Sequence, residues 1–451
     1  TVGGNYLISA ITIGSKGDLL NILSIGGSDP SSGAGIQSDI IAAQTLGVNC
    51  FSVITAITAQ NSKKFSYAES VSSKAVEKQI DSILSDFDIK AITIGMVYDS
   101  KIIKTLHSRL KNLKIPIILD PVIRSTTRGM LLKKNSISEL KKCLIPICNT
   151  ITPNVLEAEI LTGVKIRKYE DLFIVSKILS EIGSKNIIVT GHSFKKNTIS
   201  DFIFSNGRHQ SLSGRIFKGQ NHGSGCNFAF AIAYCLAQKM DIFDSARFAK
   251  QFTIDSIKQA KRLGHGVKIT RPKRDKIKSE LSSAISQFTD LKKIYSFIPE
   301  CQTNFVYAKP NPKSTNDIVG IMGRIVKTGK SVTPVGILEY GGSKHVATAV
   351  LTIQKKFPEI RSALNIKYDD GIVRRFLQAG AKISSYDRSY EPKSSKEKEN
   401  SSISWGINHA IKNSPTSPDI IYHMGDLGKE PMIIVFGTTP QNVIKRISSI
   451  L

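Results

Sequence analysis

Short apolar runs alternate with longer amphipathic stretches from Asn21 to Gly264. Asn21–Ile25 (NILSI) reads as a strand, 36–47 as a helix, 51–55 as a strand, and 73–87 as a helix by the spacing of its apolar positions. The segments 91–94, 115–119, 150–152 and 186–190 add four strand candidates, most followed by a helical pattern. Strands that alternate with helices in this way build a parallel sheet covered on both faces. The expected class is α/β.

Beyond Gly264 the pattern changes. Lys268, Arg271, Lys273, Arg274, Lys276 and Lys278 stand close together with few aromatics. The stretch 266–296 reads as a basic linker running into a solvated helix, and a second compact unit is expected over 297–451. Inside it, 389–402 (SYEPKSSKEKENSS) is polar and reads as a mobile surface loop. Residues 1–19 form an N-terminal extension. Its apolar stretch 7–13 is short and lacks the basic flank of a signal peptide. No apolar run approaches the roughly 18 residues that cross a bilayer, and no internal repeat is visible.

Composition narrows the choices. A chain of 451 residues holds two or three domains at roughly 150 residues each. With 41% hydrophobic and 22% charged residues, collagen and wholesale disorder are excluded. Lys and Arg number 62 against 36 Asp and Glu, a surplus of +26 that attracts nucleic acid, acidic membrane or small phosphorylated substrates. Of the six cysteines only Cys143 and Cys148 are close in sequence, and neither a disulfide framework nor a zinc spacing emerges. A reducing cytoplasm is the simplest setting.

Three segments of the first unit carry chemistry. Ile25–Gly35 (IGGSDPSSGAG) takes a strand through a Gly/Ser loop into a helix, which suits close backbone approach to a ligand as well as a plain turn. Asn221–Cys226 (NHGSGC) leads into the apolar run 228–236. Such a helix start offers N–H groups to a phosphate and lowers the pKa of a thiol at Cys226, unless that cysteine is merely structural. In Thr152–Glu157 (TPNVLE), Asn154 and Glu157 lie on one helix face. They suit Mg²⁺ held through water, or a capping box, which the residues alone favour.

Together these segments resemble the hydroxymethylpyrimidine kinase / hydroxymethylpyrimidine-phosphate kinase family. The resemblance rests on GGSDPSSGAGIQSD (26–39), SVITAITAQN (52–61), IGM (94–96), LDPV (119–122), TPNVLEAEILTG (152–163) and HGSGC (222–226). It implies a ribokinase-like, doubly wound α/β/α kinase domain over 20–265. By the same resemblance, Asp29, Gln60, Met96 and Val122 line the pyrimidine pocket. Gly223 and Gly225 frame the catalytic anion hole, and Asn154, Glu157 and Thr190 serve Mg²⁺ and ATP. Cys226 stands where the wider superfamily places an Asp base. A first phosphorylation must deprotonate a hydroxyl; a second attacks from a phosphate already ionised near pH ~6 and needs no base. Two departures stand out. The family's Lys-Gly-Gly-His stretch reads Val189-Thr-Gly-His192 here, losing a charge that could touch ATP, and Arg128 stands where the family carries an acid. Ser224 for Thr is mild.

In the second unit, Gly323–Ser331 (GRIVKTGKS) imitates a P-loop but holds five residues between its glycines, one too many to cradle a phosphate. Arg324, His345, Asp387 and Lys429 remain, mostly in Gly-rich settings. Singly, each reads equally as a solvated charge or a helix-face residue. Collectively, with IPE (298–300), NFVYAKPNPKS (304–314), GRIV (323–326), PVG (334–336), HVA (345–347), EIRSALNIKY (359–368), YDR (386–388) and GKEPMI (428–433), they resemble the archaeal-type thiamine-phosphate synthase domain. The resemblance implies a smaller C-terminal α/β synthase domain with Arg324 and His345 catalytic and Lys429 and Asp387 binding substrate. Hydroxymethylpyrimidine diphosphate would condense with hydroxyethylthiazole phosphate, releasing pyrophosphate. The implied partners are ATP, pyrimidine phosphates and thiazole phosphate, with no nucleic acid, no membrane and a homodimer. Two alternatives stay open: a synthase whose kinase is weakened at Thr190 and Arg128, and a thiamine-phosphate-binding sensor.

Overall fold

The computed structural model describes residues 20–124, 129–194, 196–217, 219, 221–392, 401–426 and 429–451. The extension 1–19, Arg128 and positions 393–400 of the polar loop lie outside the described residues. The chain divides into two compact units between Arg274 and Asp275.

Among the described residues, the first unit contributes strands β1 (Asn21–Ser28), β2 (Asn49–Gln60), β3 (Phe65–Ser70), β4 (Ala91–Ile94), β5 (Ile117–Leu119), β6 (Thr150–Ile151), β7 (Asn186–His192), β8 (Thr198–Ser205) and β9 (Arg208–Arg215). They form one sheet in the order β3-β2-β1-β4-β5-β6-β7-β8-β9. From β2 to β7 the pairs are parallel, as expected. The edges β3, β8 and β9 are antiparallel additions. The β8–β9 turn is Asn206-Gly207, both at positive φ, a two-residue hairpin signal present in the sequence.

Successive strand side chains point to opposite faces. Leu23 and Ile25 of β1, Ile92 and Ile94 of β4, and Ile187 and Val189 of β7 enter one core. Ile22, Ala91 and Ile188 enter the other. The first core is covered by helices α2 (Ser73–Asp86), α3 (Ser100–Leu110), α4 (Val155–Thr162) and α5 (Tyr169–Ile182). The second is covered by α1 (Gly35–Leu46), α6 (Ser224–Ala237) and α7 (Ile242–Lys258). This is the doubly wound α/β/α arrangement. Strand order reverses between β1 and β4, and an open sheet of this kind binds ligands beyond the carboxyl ends of the strands at that point.

The stretch read as basic linker and solvated helix falls on both sides of the division. Lys268–Ile269 (β11) pairs with Asn221–His222 (β10) in the first unit. Helix α8 (Lys276–Asp290) is a correction: it is not solvated all round, but buries Leu281, Ala284, Ile285 and Phe288 in the second unit's core. These four recur at helical spacing, a stripe masked in the sequence by the lysines around it. Burying Leu281 and Phe288 is worth about 1.5–3 kcal/mol each.

The second unit's main sheet runs β16-β13-β12-β17-β20-β19-β18: Leu338–Tyr340, Ile318–Ile321, Phe305–Ala308, Ser362–Lys367, Met432–Gly437, Ile420–His423 and Ile383–Ser385. It too has two buried faces. Phe305, Tyr307, Ile433 and Val435 pack with α8, α10 (Asp370–Gln378) and α12 (Pro440–Ser448). Val306, Ala308, Ile434 and Phe436 pack with α9 (His345–Ile353) and α11 (Ser401–Ile411). The P-loop look-alike is the hairpin β14 (Arg324–Thr328) and β15 (Ser331–Val335), turning at Gly329.

Candidate active sites

A pocket of about 610 Å³ opens at the first unit's switch point, lined by Gly26-Gly27 near the end of β1 and by Gly95-Met96 just after β4. Its entrance loop is organised by Asp29, which is 1% exposed. Oδ1 accepts from the Ser31 N–H and hydroxyl, both at 2.8 Å. Oδ2 accepts from the Gly33 N–H at 3.1 Å and the Ala34 N–H at 2.9 Å, and lies 3.0 Å from His222 Nε2. Burial pulls the Asp29 pKa upward, but the bonds from His222 and Ser31 win and hold it below its usual range.

Two glycines allow close backbone approaches, one within this loop and one between it and the 222–226 loop. Gly35 has φ +61°, and a Cβ there would stand 2.2 Å from the Gly27 carbonyl oxygen. Gly223 has φ +93°, and its Cβ would stand 2.1 Å from the Gly33 carbonyl oxygen. Gly223 is the N-cap of α6. The N–H groups of Ser224, Gly225 and Cys226 thus belong to the first helical turn, which lacks intrahelical acceptors and attracts anions.

The expectation of a low thiol pKa at Cys226 is corrected. Burial and the carboxylates of Asp39, Asp120 and Asp29 push the thiol well up, although the Gly35 N–H points at the sulfur. The helix terminus is outweighed by negative charge in a low dielectric.

Asp39 and Asp120, unassigned within their motifs, prove to line the same pocket. Burial raises Asp39 to about 7 despite a 2.6 Å bond from the Ser24 hydroxyl. Burial, then Glu157 and Asp39, raise Asp120 strongly. The capping-box reading of Asn154 and Glu157 is realised. The Asn154 side chain accepts from the Glu157 N–H, and Glu157 Oε2 accepts from the Asn154 N–H, both at 3.0 Å. Asn154 is therefore engaged at its cap, while burial raises Glu157 to about 7. Among the described residues no group of three or more His, Cys, Asp or Glu is arranged to hold a metal by protein ligands alone. Two buried carboxylates that repel each other, Asp120 and Glu157, nevertheless suit a hard dication whose other ligands are water and phosphate oxygens.

Gln60, Met96 and Val122 line the pocket, and among the described residues Gln60 Oε1 is buried without a hydrogen-bond partner. Thr190 also lines it, its N–H donating to the Pro153 carbonyl at 2.9 Å. Beside it the Gly191 N–H donates to Asp201 Oδ1, and Lys250 Nζ lies 2.8 Å from Asp201 Oδ2. Lys250 and Arg215 are pocket cations that sequence reasoning missed, since nothing in the linear order connects them to Thr190.

In the second unit, Arg324 at the start of β14 and His345 at the start of α9 come together with Lys429. Desolvating surroundings and the cations of Arg324, Arg388 and Lys429 hold the His345 pKa down to about 4. Asp387 is exposed, its Oδ1 caps a short turn by accepting from the Ser389 N–H at 2.8 Å, and its charge is within reach of Asp426, which shares a turn with Lys429. Its neighbours Tyr386 and Arg388 are the residues of that motif turned inward.

Residues 29–271 match the phosphomethylpyrimidine kinase family and residues 280–449 the thiamine-phosphate synthase ThiN family. The bifunctional thiamine biosynthesis protein ThiDN of Methanocaldococcus jannaschii is 32% identical over 438 residues, covering 95% of this chain and 98% of that protein. The hydroxymethylpyrimidine/phosphomethylpyrimidine kinase of Staphylococcus aureus is 32% identical over 248 residues, 54% of this chain and 90% of its own. Among solved structures, the Staphylococcus aureus pyridoxal kinase in complex with ADP superposes with a TM-score of 0.53 and 27% identity, over 57% of this chain and 95% of that one.

Proposed function

The chain belongs to the bifunctional thiamine-biosynthesis family that joins a hydroxymethylpyrimidine kinase to a ThiN-type thiamine-phosphate synthase, and from that premise we propose how its two sites work. The first unit phosphorylates hydroxymethylpyrimidine and then its monophosphate, with ATP as donor. Gln60, Met96 and Val122 hold the pyrimidine, with Asp29 shaping the loop beside it. The N–H groups at the start of α6 receive charge on the phosphoryl group in flight. Cys226, a neutral thiol, lies beside the hydroxyl in the first step, whose proton passes to an oxygen of the phosphoryl group being transferred; the second step needs no base because the attacking phosphate is already ionised. Mg²⁺, when bound, neutralises charge on the ATP phosphates. Asp120 and Glu157 would hold it, with Asn154 fixing Glu157 and Lys250 supplying a further cation near Thr190.

In the second unit, pyrophosphate leaves the pyrimidine methylene and the thiazole nitrogen attacks the resulting cation. Arg324 and Lys429 stabilise the charge growing on pyrophosphate. His345 binds phosphate or donates a proton. Six free cysteines agree with a reducing cytoplasm, and we take the working assembly to be a homodimer. The observation that carries the reading is the joining, in one pocket, of the α6 N-terminus, Cys226 and the buried carboxylates.

The test uses the whole chain. With hydroxymethylpyrimidine and ATP alone, ATP should be consumed; adding thiazole phosphate should yield thiamine phosphate. Synthase turnover on supplied diphosphate without ATP consumption would mean a weakened kinase. Binding of thiamine phosphate with no turnover at all would mean a sensor. Unchanged synthase turnover in Arg324→Ala would overturn the role given to Arg324.

A further inference from the structure

Arg388 is 5% exposed and pairs through Nη2 with Glu391 Oε2 at 2.9 Å. Among the described residues its Nε is buried with no hydrogen-bond partner, an arrangement that costs free energy in the absence of an acceptor. His423, 3% exposed at the end of β19, accepts from the Gly425 N–H at its Nδ1 (3.1 Å). That bond puts the ring proton on Nε2, a donor. The Tyr386 ring lies 5.1 Å from the His423 ring and backs it.

These two residues belong to a larger gathering. Arg324, Arg388 and Lys429 act on His345, while Arg388 and His345 act on His423. The five groups come from five separate chain segments. Three of them, Arg324, Arg388 and Lys429, are cations, with Arg388 paired to Glu391, and both imidazoles are held neutral; an anionic ligand offsets the repulsion among the three cations and accepts from the imidazole N–H groups. Met322, Tyr390 and Met424 are 59%, 73% and 64% exposed, and stand two, two and one residues along the chain from Arg324, Arg388 and His423. Cations with large exposed apolar side chains so near them in the chain suit a molecule that carries phosphate on a heteroaromatic ring.

We propose that Arg388 and His423 are further substrate-binding residues of the synthase unit, holding a phosphate or diphosphate group beside Arg324, His345 and Lys429, while Met322, Tyr390 and Met424 seat the attached ring. The proposal rests on the synthase reading of this unit.

The test supplies pyrimidine diphosphate and thiazole phosphate to the whole chain without ATP. In Arg388→Gln and His423→Gln, the KM of a phosphorylated substrate and the Ki of product pyrophosphate should both rise about tenfold to hundredfold. Kinase turnover should stay at the wild-type rate. Tyr390→Ala should raise KM while leaving pyrophosphate inhibition unchanged, which separates ring from phosphate. Folded Arg388→Gln and His423→Gln chains with wild-type KM and Ki would overturn the proposal. If Arg388→Gln does not fold, as judged by Trp405 emission, His423→Gln and Arg388→Lys decide. If the wild-type chain makes no thiamine phosphate, the synthase reading fails separately, and pyrophosphate binding still decides this one. A shift of the Trp405 unfolding transition by pyrophosphate that is lost in His423→Gln supports it; no shift in the wild type overturns it.

Discussion

Replacing Asp29 with Asn isolates what one buried carboxylate does for the kinase unit. The side chain keeps its shape and loses its charge. In the native loop its two oxygens meet five donors: two from Ser31, the N–H groups of Gly33 and Ala34, and His222 Nε2. The least costly orientation of the Asn amide turns its NH₂ toward Ser31. The Ser31 hydroxyl can then accept instead of donate, but the Ser31 N–H is left facing another donor. A buried unsatisfied donor costs about 1–3 kcal/mol, and the remaining bonds lose their charge assistance. The expected destabilisation of the first unit is about 3 kcal/mol. The sign with pH follows from the lowered pKa of Asp29. Its contribution is present above the unfolded pKa and is lost as pH falls through the lower folded value, so wild type and variant should converge in acid. Urea unfolding followed by circular dichroism reads both units. The single Trp, Trp405, reads the second alone and serves as an internal reference. The expected result is a lower dichroism midpoint with an unshifted Trp405 transition, together with a higher KM for hydroxymethylpyrimidine. A loss under 0.5 kcal/mol, well below the about 1–3 kcal/mol of a buried orphan donor, would refute the reasoning.

Gly223→Ala should abolish kinase turnover and leave synthase turnover on supplied diphosphate intact. The new Cβ cannot fit 2.1 Å from the Gly33 carbonyl oxygen at φ +93°, at a cost of about 3 kcal/mol or more; a normal kinase rate in this variant would contradict the packing of the two loops. Glu157, raised by burial from 4.5 to about 7, holds its proton better when folded. Stability of the ligand-free first unit should therefore fall by about 3 kcal/mol as pH rises through that window, and Glu157→Gln should flatten the slope. An equal slope in the variant, read from thermal melts at stepped pH, would dismiss Glu157 as its source.

Local pattern was enough for much of this protein. The alternation of apolar runs and helical stretches placed β4 and α2 almost to the residue and β1 at its start, three residues short at its end; for the strands this works because a strand buried on both faces must be apolar throughout. The Gly/Ser loop and HGSGC are short, contiguous motifs whose chemistry is local, so both loops of the kinase pocket were legible. The reach of charge was not. Cys226 sits at a helix start, which alone lowers a thiol pKa, yet burial, and then three carboxylates from distant segments, reverse the sign. Asp39 and Asp120 lay inside quoted motifs, but only folding brings them near each other and Glu157. The α8 stripe was hidden because Lys side chains dominate a linear reading and say nothing about which face is covered. Arg388 and Asp387 are adjacent in sequence, and tertiary packing alone turns the arginine inward and the aspartate to solvent. Sequence by itself determined the order of elements and the residue types at each loop. The tertiary structure decided which charges share a low-dielectric space, since electrostatic coupling depends on distance and burial and not on position along the chain.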